Sequence, residues 1–284
     1  MRPILAWLLA AGLTAGCATV VPNSPIPGDA AKTGFFVSSD LPDSKFLPQQ
    51  SASVPDSQYV MVQAGGGSIF LGPVLGSMNI SAKTQKMAEK YKDQYLGVNV
   101  QSIAEKSLST LNNFSPSDKS LYVVKPFVFV QHCYDEKFRL SLVFHVEKLD
   151  PSSHWVGRYV YHLKTIFQVA DFGSASGEQI ANYLQELNVG ATQLAALFRQ
   201  DMEGRIPAIG RKANIGSLYI MGNKMGGTMP ELLSLKNVDV VSEENGRVLV
   251  RVKGSMNTTA LIGGLAFGLH SFDRSQIHTL NYLP

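Results

Sequence analysis

The chain has little cysteine, two in 284 residues, which excludes the disulfide frameworks that stabilise many small exported domains. It has no Cys-x-x-Cys pair, and none of its six histidines stands at His-x-x-x-His or Glu-x-x-His spacing. No metal site is therefore readable, and no cofactor is expected. Runs of one charge are missing as well. The formal net charge is only +3, with both signs mixed, so neither a basic nucleic-acid footprint nor an acidic block is present. There is no Gly-Lys-Ser/Thr sequence after Gly65-Gly66-Gly67, which argues against a phosphate loop. Gly173-Ser174-Ala175-Ser176-Gly177 has alanine where a hydrolase elbow needs its serine.

What is present begins at the amino terminus. Met1-Arg2 supplies a positive start, and Ile4 to Leu13 is almost continuously apolar. That run is too short to cross a bilayer as a helix and has the length of a signal-peptide core. Thr14-Ala15-Gly16 then leads directly into Cys17.

The sequence Leu13-Thr14-Ala15-Gly16-Cys17 resembles the bacterial lipobox, with Thr14 at the position where leucine is commonest. The resemblance implies cleavage after Gly16, diacylation of the Cys17 thiol and acylation of the new amino group. Two or three acyl chains anchor durably, since each buried methylene contributes about 0.8 kcal/mol. Ala18, where an aspartate tends to retain enteric lipoproteins in the inner membrane, resembles an outer-membrane address. With Cys17 lipidated, Cys133 has no intramolecular disulfide partner. It reads as a residue at a strand end or as a reactive thiol.

The expected organisation is a signal peptide (1–16), a lipidated cysteine with a Pro-rich tether (17–56), an α+β domain (57–205) and a small β subdomain (206–284). Pro22, Pro25, Pro27, Pro42, Pro48 and Pro55 punctuate the tether. A strand is expected at 58–63, and helical periodicity over 81–113 is broken near Gly97. Leu121 to His132, Phe138 to Glu147 and Trp155 to Val169 read as three antiparallel strands. Ile180, Tyr183, Leu184, Leu187, Ala191, Leu194 and Phe198 form a helical stripe that is expected to cover their aromatic face. Ser176 reads as the cap of that helix, and Asn245-Gly246 as a tight hairpin turn. The expected fold class is thus α+β, with an antiparallel sheet of three to five strands covered by amphipathic helices and a small C-terminal β subdomain.

Alternation along the strands puts Arg139, His145, Arg158 and His162 on one sheet face. They are a candidate ligand or partner face, and an ordinary open polar face gives the same pattern. His270-Ser271-Phe272-Asp273 gathers triad residue types, but triads are assembled from separate loops, and a turn is the expected role. Two stretches, 57–82 and 254–272, carry no charged residue. Gly72 and Gly76, and Gly263, Gly264 and Gly268, could support close packing against lipid or a partner. A pair of buried Gly-rich loops packing near one another is the plainer account of them. The function expected is a membrane-anchored, non-enzymatic envelope component that acts through a protein partner, with a homo-oligomer possible. An exported hydrolase using His145 or His162, and a small-ligand carrier, are the alternatives.

Overall fold

The structure, a computed structural model, describes residues 21–22, 25–47, 50–63, 72–92, 97–116, 120–133, 136–150, 155–217, 234–253 and 267–284. Cys17 and the rest of the lipobox, Gly65 to Gly67, Gly263 and Gly264 lie outside these residues. Of the uncharged stretches, Tyr59–Gln63 and Gly268–Phe272 belong to strands.

In chain order the strands are β1 (Val21–Pro22), β2 (Phe35–Val37), β3 (Ala52–Ser53), β4 (Tyr59–Gln63), β5 (Tyr122–His132), β6 (Lys137–Lys148), β7 (Trp155–Gln168), β8 (Arg211–Ser217), β9 (Ser234–Glu244), β10 (Arg247–Val252), β11 (Gly268–Asp273) and β12 (Ile277–Tyr282). The helices are α1 (Gly72–Lys90), α2 (Val100–Leu108) and α3 (Gly177–Met202). All twelve strands form one mixed sheet, in the order β12-β8-β9-β10-β11-β7-β6-β5-β4-β3, with β1 beside β7 and β2 beside β5.

This corrects the expected sheet of three to five antiparallel strands with a separate β subdomain. The meander β5-β6-β7 is the centre of the sheet and not its whole. On one side β2 and β4 run parallel to β5, and on the other β11 and β1 run parallel to β7. Parallel partners are joined by long connections, so no turn signal announces them. The C-terminal strands continue the same sheet through β11.

The Pro-rich segment is also mostly built into the body. Ile26, Ala30, Phe35, Val37, Ala52 and Val54 are buried in the main core. Pro22 lies within β1, and Pro25, Pro27, Pro42 and Pro55 fall between very short strands, so they do not mark a free tether. Pro126 in β5 falls between the stretches that pair with β2 (Tyr122–Val124) and β4 (from Val128). A residue without an N–H is tolerated at such a gap.

α3 covers one face of the sheet. Its start is fixed by a capping box in which Ser176 and Gln179 bond each other's backbone amides. Tyr183, Leu187, Ala191, Leu194 and Phe198 pack in the core with Tyr159, Tyr161, Leu163 and Phe167 of β7. Gly190 permits the close approach, because a Cβ there would stand 2.7 Å from the Tyr161 ring. The opposite face is crossed by residues 38–47, whose Leu41 and Leu47 pack on Val60, Val62, Phe127, Phe129, Val143 and Val160. A second core, including Ile215, Val240, Val250 and Phe272, lies among the C-terminal strands. At the β9–β10 hairpin, Asn245 and Gly246 have φ of 52° and 71°, the positive values a tight primed turn requires. No helix among the described residues is long and apolar enough to cross a membrane.

Candidate functional site

The face opposite α3 holds a buried polar cluster drawn from three adjacent strands. His145 on β6 stands across from Arg158 on β7, and Ser141 stands across from His162. His270 on β11 lies across from Val160. Ser141, His145, Arg158, His162 and His270 are all buried. Three of the four residues expected on this face thus come together. Arg139 shares the face but lies six residues from His145 along β6, about 20 Å away by strand rise. It pairs across the ladder with Ile166 and is only half-buried.

Between Arg139 and Ser141 the ladder shifts, so that one residue of β6 faces three of β7. The bulge opens just beyond His162, and its polar groups are taken by other elements. Glu186 of α3 accepts from the amides of Lys164 and Thr165 and from the Thr165 hydroxyl. Arg247 donates to the His162 carbonyl at 3.1 Å, and Gln276 to the Leu163 carbonyl at 2.6 Å. Bulges re-aim side chains next to them. Here the helix and two C-terminal segments together fix the position of His162.

One hydrogen-bonded chain runs from Ser141 Oγ to His162 Nδ1 (2.9 Å), from His162 Nε2 to His270 Nδ1 (3.1 Å), and from His270 Nε2 to the Phe267 carbonyl (3.3 Å). A carbonyl only accepts, so His270 carries its proton on Nε2 and accepts on Nδ1. His162 must then donate from Nε2 and accept on Nδ1, which makes Ser141 the donor. The Phe267 carbonyl thereby sets every tautomer in the chain. Phe272 stacks on His162 at 4.2 Å and 8°.

The second limb follows the same logic. Arg158 Nε donates to His145 Nδ1 at 3.4 Å, leaving the ring proton on Nε2. Glu147 Oε1 lies 3.2 Å from that Nε2, near enough for an electrostatic pair though off the line of a good hydrogen bond, and 2.9 Å from Lys125 Nζ. Burial pushes His145 and His270 down to about 4. Burial, with His270 and Arg247 close by, holds His162 well below its ordinary value. All three rings are therefore neutral at pH 7. The cluster is buried, with fixed tautomers, and among the described residues its one carboxylate is Glu147 at the rim.

His270 is the member missed from sequence. It was assigned to a turn, whereas residues 268–273 form β11 and the turn is Arg274–Gln276. Alternation of Leu269, Ser271 and Asp273 against His270 and Phe272 was the available signal. Ser141 was visible as a polar alternate of β6, without its partner. His132 is half-buried, His278 is exposed, and His154 lies outside the described residues. Cys133 is buried just past β5, its sulfur 3.7 Å from the Gln131 carbonyl.

On the α3 face a separate buried group forms. Asp201 accepts from the Tyr159 hydroxyl at 2.8 Å and pairs with Arg251 at 3.0 Å. At the β3 edge a cavity of about 580 Å³ is lined by residues that include Asp40, Asp56, Gln58, Asn99 and Gln101. Its amide oxygens already serve α2, Gln58 accepting from Gln101 N and Asn99 from Ser102 N. Among the described residues no three His, Cys, Asp or Glu side chains gather as metal ligands do. The chain matches no family model, no curated protein and no solved structure.

Proposed function

We propose that the chain is an envelope lipoprotein held on a membrane through Cys17, a non-enzymatic binding or assembly component that acts through protein contacts. The observation that carries this reading is the pairing of Val21–Pro22 with Trp155–Val156. Only three residues separate Cys17 from Val21 of the sheet, at most about 14 Å of extended chain. An acylated Cys17 would hold one end of the sheet against the lipid surface, in place of a long flexible stand-off. Ala18 favours the outer membrane, and an envelope protein is the partner the reading calls for.

Cys17→Ala is the direct test. The replaced protein is expected to lose incorporation of a palmitate analogue and to leave the membrane fraction. Retention on the membrane with no label in the wild type sinks the anchor. Crosslinking the lipidated protein in cells is expected to recover an envelope partner, or a second copy of the chain. Recovery of neither, with turnover of a cell-wall or lipid substrate by the pure protein, sinks the non-enzymatic reading.

One observation favours an exported hydrolase instead. Ser141 donates to His162, which is backed by His270, the order of a nucleophile, a base and an orienting group. Against it, the relay ends on the neutral Phe267 carbonyl in place of a carboxylate, and burial holds His162 well below its ordinary value, which makes it a poor base. Ser141→Ala is expected to cost about 1–3 kcal/mol in urea unfolding, by removing the buried hydrogen bond that Ser141 donates to His162 Nδ1. Neither form is expected to hydrolyse p-nitrophenyl esters. Hydrolysis by the wild type that vanishes in S141A would reverse the order of the two readings.

A further inference from the structure

Among the described residues two arginines are almost completely buried, and they are treated differently. Arg251, 0% exposed, faces the carboxylate of Asp201. Arg158, 2% exposed, has no carboxylate partner among the described residues, and its Nη2 has no hydrogen bond. Its Nε contact is to His145, a neutral ring. The guanidinium lies over the Phe267 ring at 4.1 Å, and Phe46 packs against His145 at 5.3 Å between ring centres. Phe46, Val156 and Phe267 form a small apolar cluster on this side of the sheet. The nearest acid on the neighbouring strand, Glu147, is held by Lys125 and set beside His145. A guanidinium buried without a counter-charge is costly, and an orphaned buried donor in a native fold calls for an explanation.

We propose that Arg158, flanked by His145 and His270, is a binding site for an oxyanion head group, a carboxylate or a phosphate. The planar fork of arginine suits such a group, and in a water-poor setting the charge-assisted bonds are strong. The apolar cluster beside Arg158 suits the carbon chain of an acidic amphiphile. Arg158 is two residues along β7 from Val156, the partner of Pro22, so on the anchored reading proposed above a lipid-borne head group lies within reach. A free anion would satisfy the same chemistry, and the binding itself does not depend on the anchor.

The test is thermal unfolding of the full lipidated chain in a neutral detergent, titrated with inorganic phosphate or with laurate at constant ionic strength. The wild-type midpoint is expected to rise by several degrees and saturate, as linkage to a ligand of the folded state requires. A response to phosphate marks a free anion as sufficient, and a response to laurate alone marks a lipid-borne one. Arg158→Met is expected to fold with a midpoint equal to or above the wild type, because it removes an uncompensated buried charge, and to ignore both anions. A wild-type midpoint indifferent to both anions, or an equal shift in R158M, overturns the proposal. Should R158M not fold, Arg158→Lys takes its place. There a weakening of at least tenfold supports the site, and an unweakened response overturns it equally.

Discussion

Taking the protein from pH 7 to pH 4 is expected to remove most of its folding stability. The folded state buries His145 and His270 as neutral rings, pushed down to about 4, while the unfolded chain protonates them near 6.5. Both are neutral above pH 6.5 in either state, so nothing is lost there. As the pH falls from 6.5 to 4, the unfolded state binds protons that the folded state refuses, and stability declines. Each histidine accounts for about 3 kcal/mol at the end of that window. His162, also lowered by burial, acts in the same direction. Against a net stability of about 5–15 kcal/mol this is a large share.

Other groups facing the cluster do not reverse the sign. Lys125 and Arg158 are cations that oppose a further proton on His145. Glu147 is held down to about 2, its burial outweighed by its pairing with His145 and Lys125, so it contributes a second loss between 4.5 and 2. Urea unfolding at half-unit pH steps would read the slope directly. A free energy that stays flat from pH 7 to 4.5 would show that the rings are not buried neutral. His270→Gln keeps a donor for the Phe267 carbonyl and is expected to reduce the slope by about one proton.

How far these features were legible depends on whether each has a local cause. The α3 start was readable because Ser176 and Gln179 satisfy each other within four residues, and the β9–β10 turn because Asn245-Gly246 accepts positive φ. Period-two alternation in β6 and β7 was enough to put His145, Arg158 and His162 on one face. It could not say that β11 would lie parallel to β7 and bring His270 to His162, because that partner arrives from 108 residues away. The short strands β1, β2 and β3 were hidden for a different reason. Two or three residues between prolines carry no measurable period, and tertiary pairing alone makes them strands. The lone charge on the α3 stripe, Asp201, and the arginine that shares the face of Leu249 in β10, Arg251, were readable as oddities. Nothing local linked the two to each other.

That pair sets the second large expectation: Asp201→Ala should destabilise the fold by about 3–5 kcal/mol, the usual cost of breaking a buried ion pair from one side. Asp201 is in the last turn of α3, where the helix dipole disfavours a carboxylate. Its place there makes sense only through what it meets, the Tyr159 hydroxyl and Arg251 Nη2. Without it Arg251 remains fully buried, and its Nε and Nη1 already lack partners. Arg251→Met removes the charge instead and leaves Asp201 with Tyr159, so its cost should be smaller. The double replacement should then recover much of the loss, which a double-mutant cycle would read as coupling. Because the pair ties the end of α3 to β10, D201A should also weaken the cooperativity between the meander and the C-terminal strands. Two separated unfolding transitions in D201A, against one in the wild type, would be its signature. If D201A costs less than 1 kcal/mol and the cycle shows no coupling, the pair contributes nothing to holding the two halves of the sheet together.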